Sequence, residues 1–279
     1  MDEMKPAPFK KLLEKILSSK EMNDARFSYD LVGSIAIIEV PDMLMKKEKK
    51  IGEALLSAHP QITTVVKKKG GHTGVYRTQQ YRILAGKRTK KTTVRENGVV
   101  LSLHLEKTYY SVRFGTERLR IARLVVPGED VLVMFSGIAP FPLVIAKQAH
   151  PASVYGIEIN RAAFEMGVEN LMLNKAKSIH LILGNVRQVM PLMDKKFDRI
   201  IMPLPKGGEG FLDLAIGAVK KDGAIHFYDF LHDDEFSLAG EKVKNACKTA
   251  GRRCTILGIV KCGQQSPRVY RICVDVKVF

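Results

Sequence analysis

The chain has 279 residues, of which 46% are hydrophobic, enough for one large domain or for a small domain beside a medium one. It carries 45 Lys and Arg against 29 Asp and Glu, a formal charge of +16 with a pI near 9.7. This excess favours a polyanionic partner, although a basic surface that is merely solvated gives the same count. No apolar run reaches membrane-spanning length and the first residues are unlike a signal peptide, so we expect a cytoplasmic protein without a membrane partner.

The first third of the chain predicts a small, mostly antiparallel α+β domain. Residues 9–17 have the apolar spacing of a helix, and the polar stretch 18–29 has the composition of a linker. A further helix is predicted at 46–57. The predicted strands lie at 31–40, 62–67, 77–84 and 99–105. We therefore place an N-terminal helix and linker at 1–28 and the small domain at 29–112.

Residues 67–95 contain ten Lys and Arg and no acid, with Tyr76 and Tyr81 among them. Basic side chains neutralise phosphates, and aromatic rings stack on unpaired bases. No amphipathic helix organises these charges for a membrane surface, so RNA is the favoured partner. The candidates for RNA contact in this stretch are Lys67, Lys68, Lys69, Arg82, Lys87 and Arg88.

From residue 116 onward, predicted strands and helices alternate, which indicates a doubly wound parallel α/β sheet in a domain at 113–279. The last two strands are joined by a short loop and are expected to form an antiparallel edge pair. The predicted strands lie at 131–134, 154–159, 179–183, 199–202, 224–228, 252–259 and 270–278, and the predicted helices at 116–125, 142–149, 161–174, 210–219 and 236–249.

Two neighbouring strands of this domain end on residues suited to a nucleoside cofactor. The first runs into a turn containing Gly137, and the second stops on Glu158. A glycine turn lets a cofactor approach the backbone, and an acid at the end of the next strand can hold ribose hydroxyls. A dinucleotide fingerprint has three glycines where this turn has one, which favours a cofactor without phosphates, S-adenosylmethionine (AdoMet). A purely architectural role for Gly137 is the alternative.

Two later segments extend this candidate site. Asn185 follows the third strand, where a side-chain amide can meet an adenine amino group. Pro203 and Pro205 stiffen the exit of the fourth strand, where a parallel sheet presents its ligand crevice. A rigid strand exit without ligand contact explains the prolines equally well.

The four cysteines, Cys247, Cys254, Cys262 and Cys273, lie late in the chain without C-x-x-C spacing. This argues against a zinc site and against a disulfide framework. We expect reduced thiols, some of them buried, and no metal.

Thr116 and Glu117 open a predicted helix, where Thr116 is a candidate cap and a first-turn carboxylate is favoured by the helix dipole. That structural role is one interpretation of Glu117. Arg113 and Arg118 are placed to pair with it or to reach phosphate.

At this point the chain resembles the archaeal and eukaryotic tRNA (guanine-N1)-methyltransferases, which modify guanosine at position 37, just 3′ of the anticodon. The resemblance runs from about Tyr29 to the C-terminus. The segments that carry it are YDLVGSIAIIEVP (29–41), YYSVRFGTERLRIA (109–122), MFSGIAPF (134–141), GNVR (184–187), DRIIMPLPKGGEGFLDLA (198–215), DGAIHFYDF (222–230) and SPR (266–268). The resemblance implies a class I AdoMet-dependent methyltransferase domain behind a small RNA-binding domain, and tRNA as the partner.

The resemblance also implies roles for single residues. Glu117 matches the family's general base, Arg113 its nearby arginine, and Arg77 the arginine that steadies charge on the guanine. A carboxylate can take the N1 proton and an arginine can stabilise charge on O6. Arg268 joins the candidate RNA contacts. The implied cofactor contacts are Phe135, Gly137, Pro140, Phe141, Glu158, Ile159, Asn185, Val186, Pro203 and Pro205.

The chain departs from the family pattern at three positions. Val133 and Asn185 stand where the family usually has acids, and Pro203 replaces the asparagine of an Asn-Leu-Pro signature. Only about 28 residues precede the resemblance, so we expect the family's separate N-terminal domain to be absent or reduced. The alternatives are the related wybutosine-pathway aminocarboxypropyl transferase, a tRNA-binding homologue without activity and, more distantly, a nicotinamide enzyme. We expect a monomer.

Overall fold

The computed structural model describes residues 8–24 and 28–279, and these form two compact units. The first unit ends at Arg95 and also takes in Ser102–Val112. The second unit comprises Glu96–Leu101 and Arg113–Phe279.

A four-stranded sheet and three short helices form most of the first unit. The strands are β1 (Tyr29–Val32), β2 (Ile35–Ile38), β3 (Thr64–Thr73) and β4 (Thr78–Gly86), and the helices are α1 (Phe9–Leu13), α2 (Ser19–Asp24) and α3 (Glu48–Ala58), which follows a 3-10 turn at Asp42–Lys47. The strand order is β1-β2-β3-β4. The outer pairs are antiparallel and β2 runs parallel to β3, which confirms the prediction of a mostly antiparallel α+β domain.

The predicted single strand at 31–40 is wrong, because the chain turns at Gly33 and Ser34 and returns as β2. Gly33 has a φ of +59°, and a Cβ there would lie 2.3 Å from both Thr92 Oγ1 and the Thr93 carbonyl oxygen. Only glycine combines that backbone conformation with that approach.

The predicted linker at 18–29 is also wrong in part, because it contains α2. Ser18 and Glu21 form a capping box: the Ser18 amide donates to Glu21 Oε2 at 2.7 Å, and the Glu21 amide donates to Ser18 Oγ at 3.4 Å. Residues 25–27 of that stretch lie outside the described residues. The helix predicted at 9–17 ends at Leu13, although Leu13 and Leu17 are both buried.

Strands β5 (Lys91–Glu96) and β6 (Val99–His104) form a separate two-stranded sheet. Asn97 and Gly98 join them with φ angles of 48° and 80°, as in a type I′ turn. The sequence did not predict β5, whose segment KTTVRE contains one large apolar side chain.

A seven-stranded sheet covered by helices forms the second unit, and every strand and helix predicted there has a counterpart. The strands are β7 (Asp130–Met134), β8 (Ser153–Glu158), β9 (Ile179–Leu183), β10 (Phe197–Met202), β11 (Val219–His232), β12 (Cys254–Ser266) and β13 (Val269–Val278). The helices are α4 (Gly115–Leu124), α5 (Pro140–Ala149), α6 (Arg161–Leu173), α7 (Val186–Val189), α8 (Leu212–Ala218) and α9 (Phe236–Thr249), with 3-10 turns at Val112–Phe114, Met190–Leu192 and Gly208–Phe211.

The strand order of this sheet is β12-β13-β11-β10-β7-β8-β9. Strands β11, β10, β7, β8 and β9 run parallel. Strand β13 is antiparallel to β11 and to β12, which confirms the predicted antiparallel edge. The chain builds outward from β7 through β8 to β9 and then continues on the other side at β10. Ligands of doubly wound sheets bind at such a switch point, beyond the carboxyl ends of the strands.

All four cysteines are free, and Cys247 and Cys273 are buried, as predicted. In the part of the chain that the structure describes, no helix is long and apolar enough to cross a membrane.

Candidate active site

The carboxyl ends of β7, β8 and β9 are joined by main-chain hydrogen bonds. The Ser136 amide donates to the Ile157 carbonyl, and the Gly184 amide donates to the Glu158 carbonyl, both at 2.9 Å. Strand β10 pairs with β7 on its other side. The structure therefore brings the segments after all four strands, which carry the predicted cofactor residues, to one edge of the sheet.

The turn after β7 has an unusual backbone. Phe135, Gly137 and Ala139 have φ angles of 58°, 57° and 66°. The left-handed region costs a non-glycine residue on the order of 1–3 kcal/mol and such strain clusters at functional sites. Packing holds the turn: the Phe135 ring lies 5.0 Å from the ring of Phe211, and Ala139 is buried.

Glu158 lies in this edge with its carboxylate facing the turn. Oε2 accepts from the Gly137 amide at 2.7 Å, and Oε1 accepts from the Asn160 amide at 2.8 Å. Burial raises the pKa of Glu158 above its ordinary value, while the amides of Asn160, Gly137 and Ile159 oppose that rise. A carboxylate has about four acceptor positions, so at least one is left for a ribose hydroxyl.

The start of α5 decides between cofactors with and without phosphates. Pro140 and Pro142 occupy its first turn, and proline has no N–H to offer an anion. A pyrophosphate would therefore find few of the donors that usually hold it at a helix N-terminus. Ile159, beside the acid, is 39% exposed and offers an apolar surface to a flat ring. The residues of this edge fit AdoMet.

Other predicted cofactor residues have structural partners. Asn185 Oδ1 caps α7 by accepting from the Arg187 amide at 2.9 Å, which leaves its amide group as a donor. Val186 and Phe141 are buried, and the Phe141 ring packs on Phe114 at 5.5 Å. Pro205 is buried and Pro203 half-buried. Contacts of these residues with a cofactor stay predictions.

Glu117 is buried, with 5% of its surface exposed, and it is tied to two neighbours. Its Oε1 accepts from the Tyr228 hydroxyl at 2.6 Å and from Arg120 Nη2 at 2.7 Å, and its Oε2 accepts from Arg120 Nε at 2.7 Å. The sequence did not single out Arg120 or Tyr228. The spacing could have predicted the pair with Arg120, because residues three apart on a helix lie on the same face and can form an ion pair.

Two expectations around Glu117 are wrong. Arg118 neither pairs with Glu117 nor is placed to reach phosphate, because it is buried and donates to Glu96 at 2.5 and 2.6 Å. Thr116 is not the cap, since α4 already begins at Gly115. Glu117 does lie in the first turn, as predicted. Arg113 is exposed on the 3-10 turn before α4.

Within the first unit, Arg77 lines a small pocket. Arg77 follows the turn at Gly74 and has a φ of 51°. The pocket combines aliphatic and hydrogen-bonding side chains, as ligand pockets usually do. It is lined by Val32, Ile37, Arg77, Gln79, Tyr81, Leu103, Leu105, Thr108, Tyr109 and Tyr110.

The aromatic residues of the basic stretch differ from each other. Tyr76 is 50% exposed, so its ring is accessible to a base. Tyr81 is buried, and burial, with Asp30 and Glu106 nearby, raises the pKa of Tyr81 to about 12. The burial of Tyr81 argues against its stacking on an unpaired base, and stacking by Tyr76 stays a prediction.

Several predicted RNA contacts are engaged in ion pairs. Glu48, which is buried, pairs with Lys67 at 3.3 Å and with Arg82. Lys68 pairs with Glu39 at 3.2 Å. In the second unit, Arg268 pairs with Asp233 at 2.9 Å. Lys69, Lys87 and Arg88 are exposed, and no carboxylate among the described residues pairs with them.

Two domain families match this chain. Residues 92–257 match the TRM5/TYW2 methyltransferase domain, and residues 9–89 match the TYW2 N-terminal domain. The chain is 36% identical over 252 residues to tRNA (guanine(37)-N(1))-methyltransferase Trm5b of Pyrococcus abyssi, covering 90% of this chain and 74% of the relative. It is 32% identical over 206 residues to the tRNA(Phe) (4-demethylwyosine(37)-C(7)) aminocarboxypropyltransferase of Methanocaldococcus jannaschii, covering 74% of this chain and 82% of the relative.

The fold is similar to solved structures of the same group. Trm5b from Pyrococcus abyssi has a TM-score of 0.86 at 33% identity, covering 98% of this chain and 81% of that one. A complex of aTrm5 with tRNALeu has a TM-score of 0.83 at 31% identity, covering 98% and 79%. Trm5 from Methanocaldococcus jannaschii with adenosine has a TM-score of 0.79 at 30% identity, covering 97% and 78%. The chain belongs to the TRM5/TYW2 methyltransferase family.

Proposed function

We propose that this chain transfers the methyl group of AdoMet to N1 of guanosine 37 in tRNA. The observation that carries the proposal is the edge of the seven-stranded sheet, where the Gly137 amide donates to Glu158 and two prolines occupy the first turn of α5, an arrangement that suits a nucleoside without phosphates. The similar Trm5b of Pyrococcus abyssi is named for that reaction.

Glu158 and Ile159 are the residues we expect to hold the nucleoside part of AdoMet, through its ribose hydroxyls and adenine ring. A similar solved structure contains adenosine, which supports a nucleoside at this edge. Bound AdoMet supplies an electrophilic methyl group on a sulfonium. The chain must orient the target nitrogen toward it and take up the departing proton.

Glu117 is our candidate for the general base that accepts this proton. Guanine N1 carries a proton that must leave as the methyl group arrives, and a positioned carboxylate accepts it. Charge then grows on O6, and we assign its stabilisation to Arg77, which lines the pocket in the first unit. From the family resemblance, we propose that Arg113 acts near the general base in this step.

We propose tRNA as the macromolecular partner, bound through its phosphates by the exposed cations of the first unit. A complex of the similar aTrm5 with tRNALeu supports this partner.

We also propose that the chain divides by function at the predicted limits, into residues 1–28, 29–112 and 113–279. We further propose that the protein is a monomer and that it is located in the cytoplasm.

Aminocarboxypropyl transfer is the second candidate function. Residues 9–89 match the TYW2 N-terminal domain, and a similar relative transfers the aminocarboxypropyl group. Pro203 offers no side-chain amide to the target base. A buried carboxylate suited to removing the N1 proton favours methyl transfer, since the other reaction builds a bond at carbon.

Mass spectrometry of product nucleosides tests the proposal. Unmodified tRNA transcript is incubated with the protein and AdoMet, digested, and compared with a transcript carrying adenosine at position 37. We expect 1-methylguanosine from the first transcript and nothing from the second. Aminocarboxypropylated product from tRNA carrying 4-demethylwyosine would establish the second candidate, and tRNA binding without product from either would identify a non-catalytic homologue.

A further inference from the structure

The buried carboxylate of Glu117 is the end of a longer chain of charged side chains within the second unit. Arg120, which binds Glu117, also donates from Nη1 to Asp275 Oδ2 at 2.6 Å and from Nη2 to Asp275 Oδ1 at 3.2 Å. His226 is hydrogen-bonded to Asp275, with its Nδ1 2.6 Å from Oδ1 of the carboxylate. His226 Nε2 lies 2.7 Å from Arg199 Nη1. Arg199 in turn donates to both oxygens of Glu129, at 2.8 and 2.9 Å.

Every bond of this network has one possible direction. An arginine only donates, so His226 Nε2 must accept from Arg199. The proton of the neutral imidazole then lies on Nδ1 and is donated to Asp275. Burial lowers the pKa of His226, although Asp275 opposes this, so the neutral form is the resident one. Burial disfavours the charged guanidinium of Arg120, but hydrogen bonds to Glu117 and Asp275 raise its pKa.

A metal ion is not the reason for this cluster. His226, Cys273 and Asp275 have ligand-type atoms within 4.8 Å of one another. The guanidinium groups of Arg120 and Arg199 already bind this group from two sides. A divalent cation there would meet two positive charges in a buried setting.

The network fixes which part of Glu117 stays open. Arg120 and Tyr228 fill two acceptor positions on Oε1 and one on Oε2, of about four on a carboxylate. The Cys262 thiol, on β12, also lies within hydrogen-bonding distance of Glu117, and the Cys273 thiol, on β13, lies near it. Each has another acceptor: Cys262 donates to the Val260 carbonyl at 3.2 Å, and Cys273 to Asp275 at 3.4 Å. Arg120 and Tyr228 thus leave one position on Oε2 unused, and Cys262 is a further group within hydrogen-bonding distance of Glu117.

We propose that Arg120 and Tyr228 are positioning residues that orient Glu117 so that Oε2 receives the proton from guanine N1, and that Asp275, His226 and Arg199 hold Arg120 in place. The inference rests on the proposed function and adds the groups that position the base. In the step, the N1–H bond breaks and an O–H bond forms at Oε2. The electron pair left on N1 takes the methyl carbon while the carbon–sulfur bond breaks.

A double-mutant cycle measured by single-turnover methyl transfer tests the inference. Tyr228→Phe removes one hydroxyl, and at saturating AdoMet and tRNA we expect the rate to fall by about tenfold, with both dissociation constants unchanged. For Arg120→Gln we expect a fall of about a hundredfold, partly restored in Arg120→Lys. Tyr155→Phe, on β8, is the matched control and is expected to keep the rate.

The same changes are then made in a Glu117→Gln background. If Arg120 and Tyr228 act through Glu117, neither change lowers the residual rate further. An equal fold reduction in both backgrounds would show a purely structural role and overturn the inference while leaving the proposed function intact. Full activity of Glu117→Gln would remove the base role, and the inference with it. A wild-type protein without methylated product would instead refute the proposed function. Tyr228→Phe keeps the test decisive if the Arg120 variants fail to fold, which thermal melting reports.

Discussion

Two regions were predicted from sequence: the cofactor edge of the second unit, around Gly137 and Glu158, and the basic surface of the first unit, at residues 67–95. The sequence predicts the contacts within the cofactor edge better than those on the basic surface. At the cofactor edge, the residues that contact each other lie in short segments after successive strands. Gly137 and Glu158 meet because parallel strands end at the same edge. On the basic surface, the sequence counts charges but not their partners.

Four of the seven cations predicted to bind RNA are paired with carboxylates. Glu48 reaches Lys67 across 19 positions and Arg82 across 34. A run of Lys and Arg without acids therefore does not mean a run of available charges. Backbone-defined sites follow from local pattern, whereas the availability of a charge depends on contacts between distant residues.

The largest expected effect lies in the second unit. Glu117→Gln keeps the shape of the side chain but removes its capacity to accept a proton, so we expect turnover to fall by about 10²–10⁴-fold. AdoMet affinity, measured by calorimetry, is expected to stay unchanged. Glu165→Gln, on the exposed face of α6, is the control. A turnover within about threefold of wild type would leave Glu117 a structural residue that binds Arg120.

The second effect concerns the cofactor edge itself. Glu158→Gln replaces a charged acceptor by a neutral amide that also donates, and we expect AdoMet affinity to fall by about 10- to 100-fold. Calorimetry with AdoMet measures it, and Glu165→Gln, exposed on α6, serves as the control. Unchanged AdoMet affinity would show that Gly137 and Glu158 have a purely structural role and do not bind the cofactor.

The pH dependence of AdoMet binding follows from the same residue. Burial raises the pKa of Glu158, so its carboxylate takes up a proton at a higher pH than an exposed glutamate does. The charged form accepts the ribose hydroxyls, so affinity is expected to decrease as the pH falls through that raised pKa and to be constant above it. Glu158→Gln should flatten this dependence; the same slope in both proteins would assign it to another group.

In the first unit, the buried Glu48 offers a test of the paired cations. Glu48→Gln leaves Lys67 and Arg82 without a carboxylate, and we expect a loss of about 2 kcal/mol of unfolding free energy, moderated by the exposure of Arg82. Urea unfolding measures the loss. Glu53→Gln, exposed on the same helix α3, is the matched control. Equal stability of the two variants would mean that the Glu48 pairs are not part of what holds α3 on the sheet.

The difference between local patterns and contacts of distant residues also explains which parts of the fold the sequence predicted. The alternation of the second unit follows from the local hydrophobic period, and every strand and helix predicted there has a counterpart, although the short helix α7 was not predicted. Contacts between distant residues were not: Tyr228 reaches Glu117 across 111 positions and Arg120 reaches Asp275 across 155. The capping box at Ser18 and Glu21 was a readable local signal that the polar composition of its surroundings concealed.

The smallest expected effect decides whether paired and exposed cations differ on RNA. The logarithm of tRNA affinity falls with the logarithm of salt concentration by about one unit of slope for each phosphate neutralised. Replacing the exposed Lys69, Lys87 and Arg88 by alanine is therefore expected to lower the slope by about two to three units. Replacing Lys67 and Arg82 is expected to change it by less than about one, because Glu48 binds both side chains and offsets one of their two charges. Equal changes in slope would mean that these two cations exchange Glu48 for phosphate when tRNA binds. In that case, the charge count in the sequence would describe the bound state better than the partners seen in the free protein.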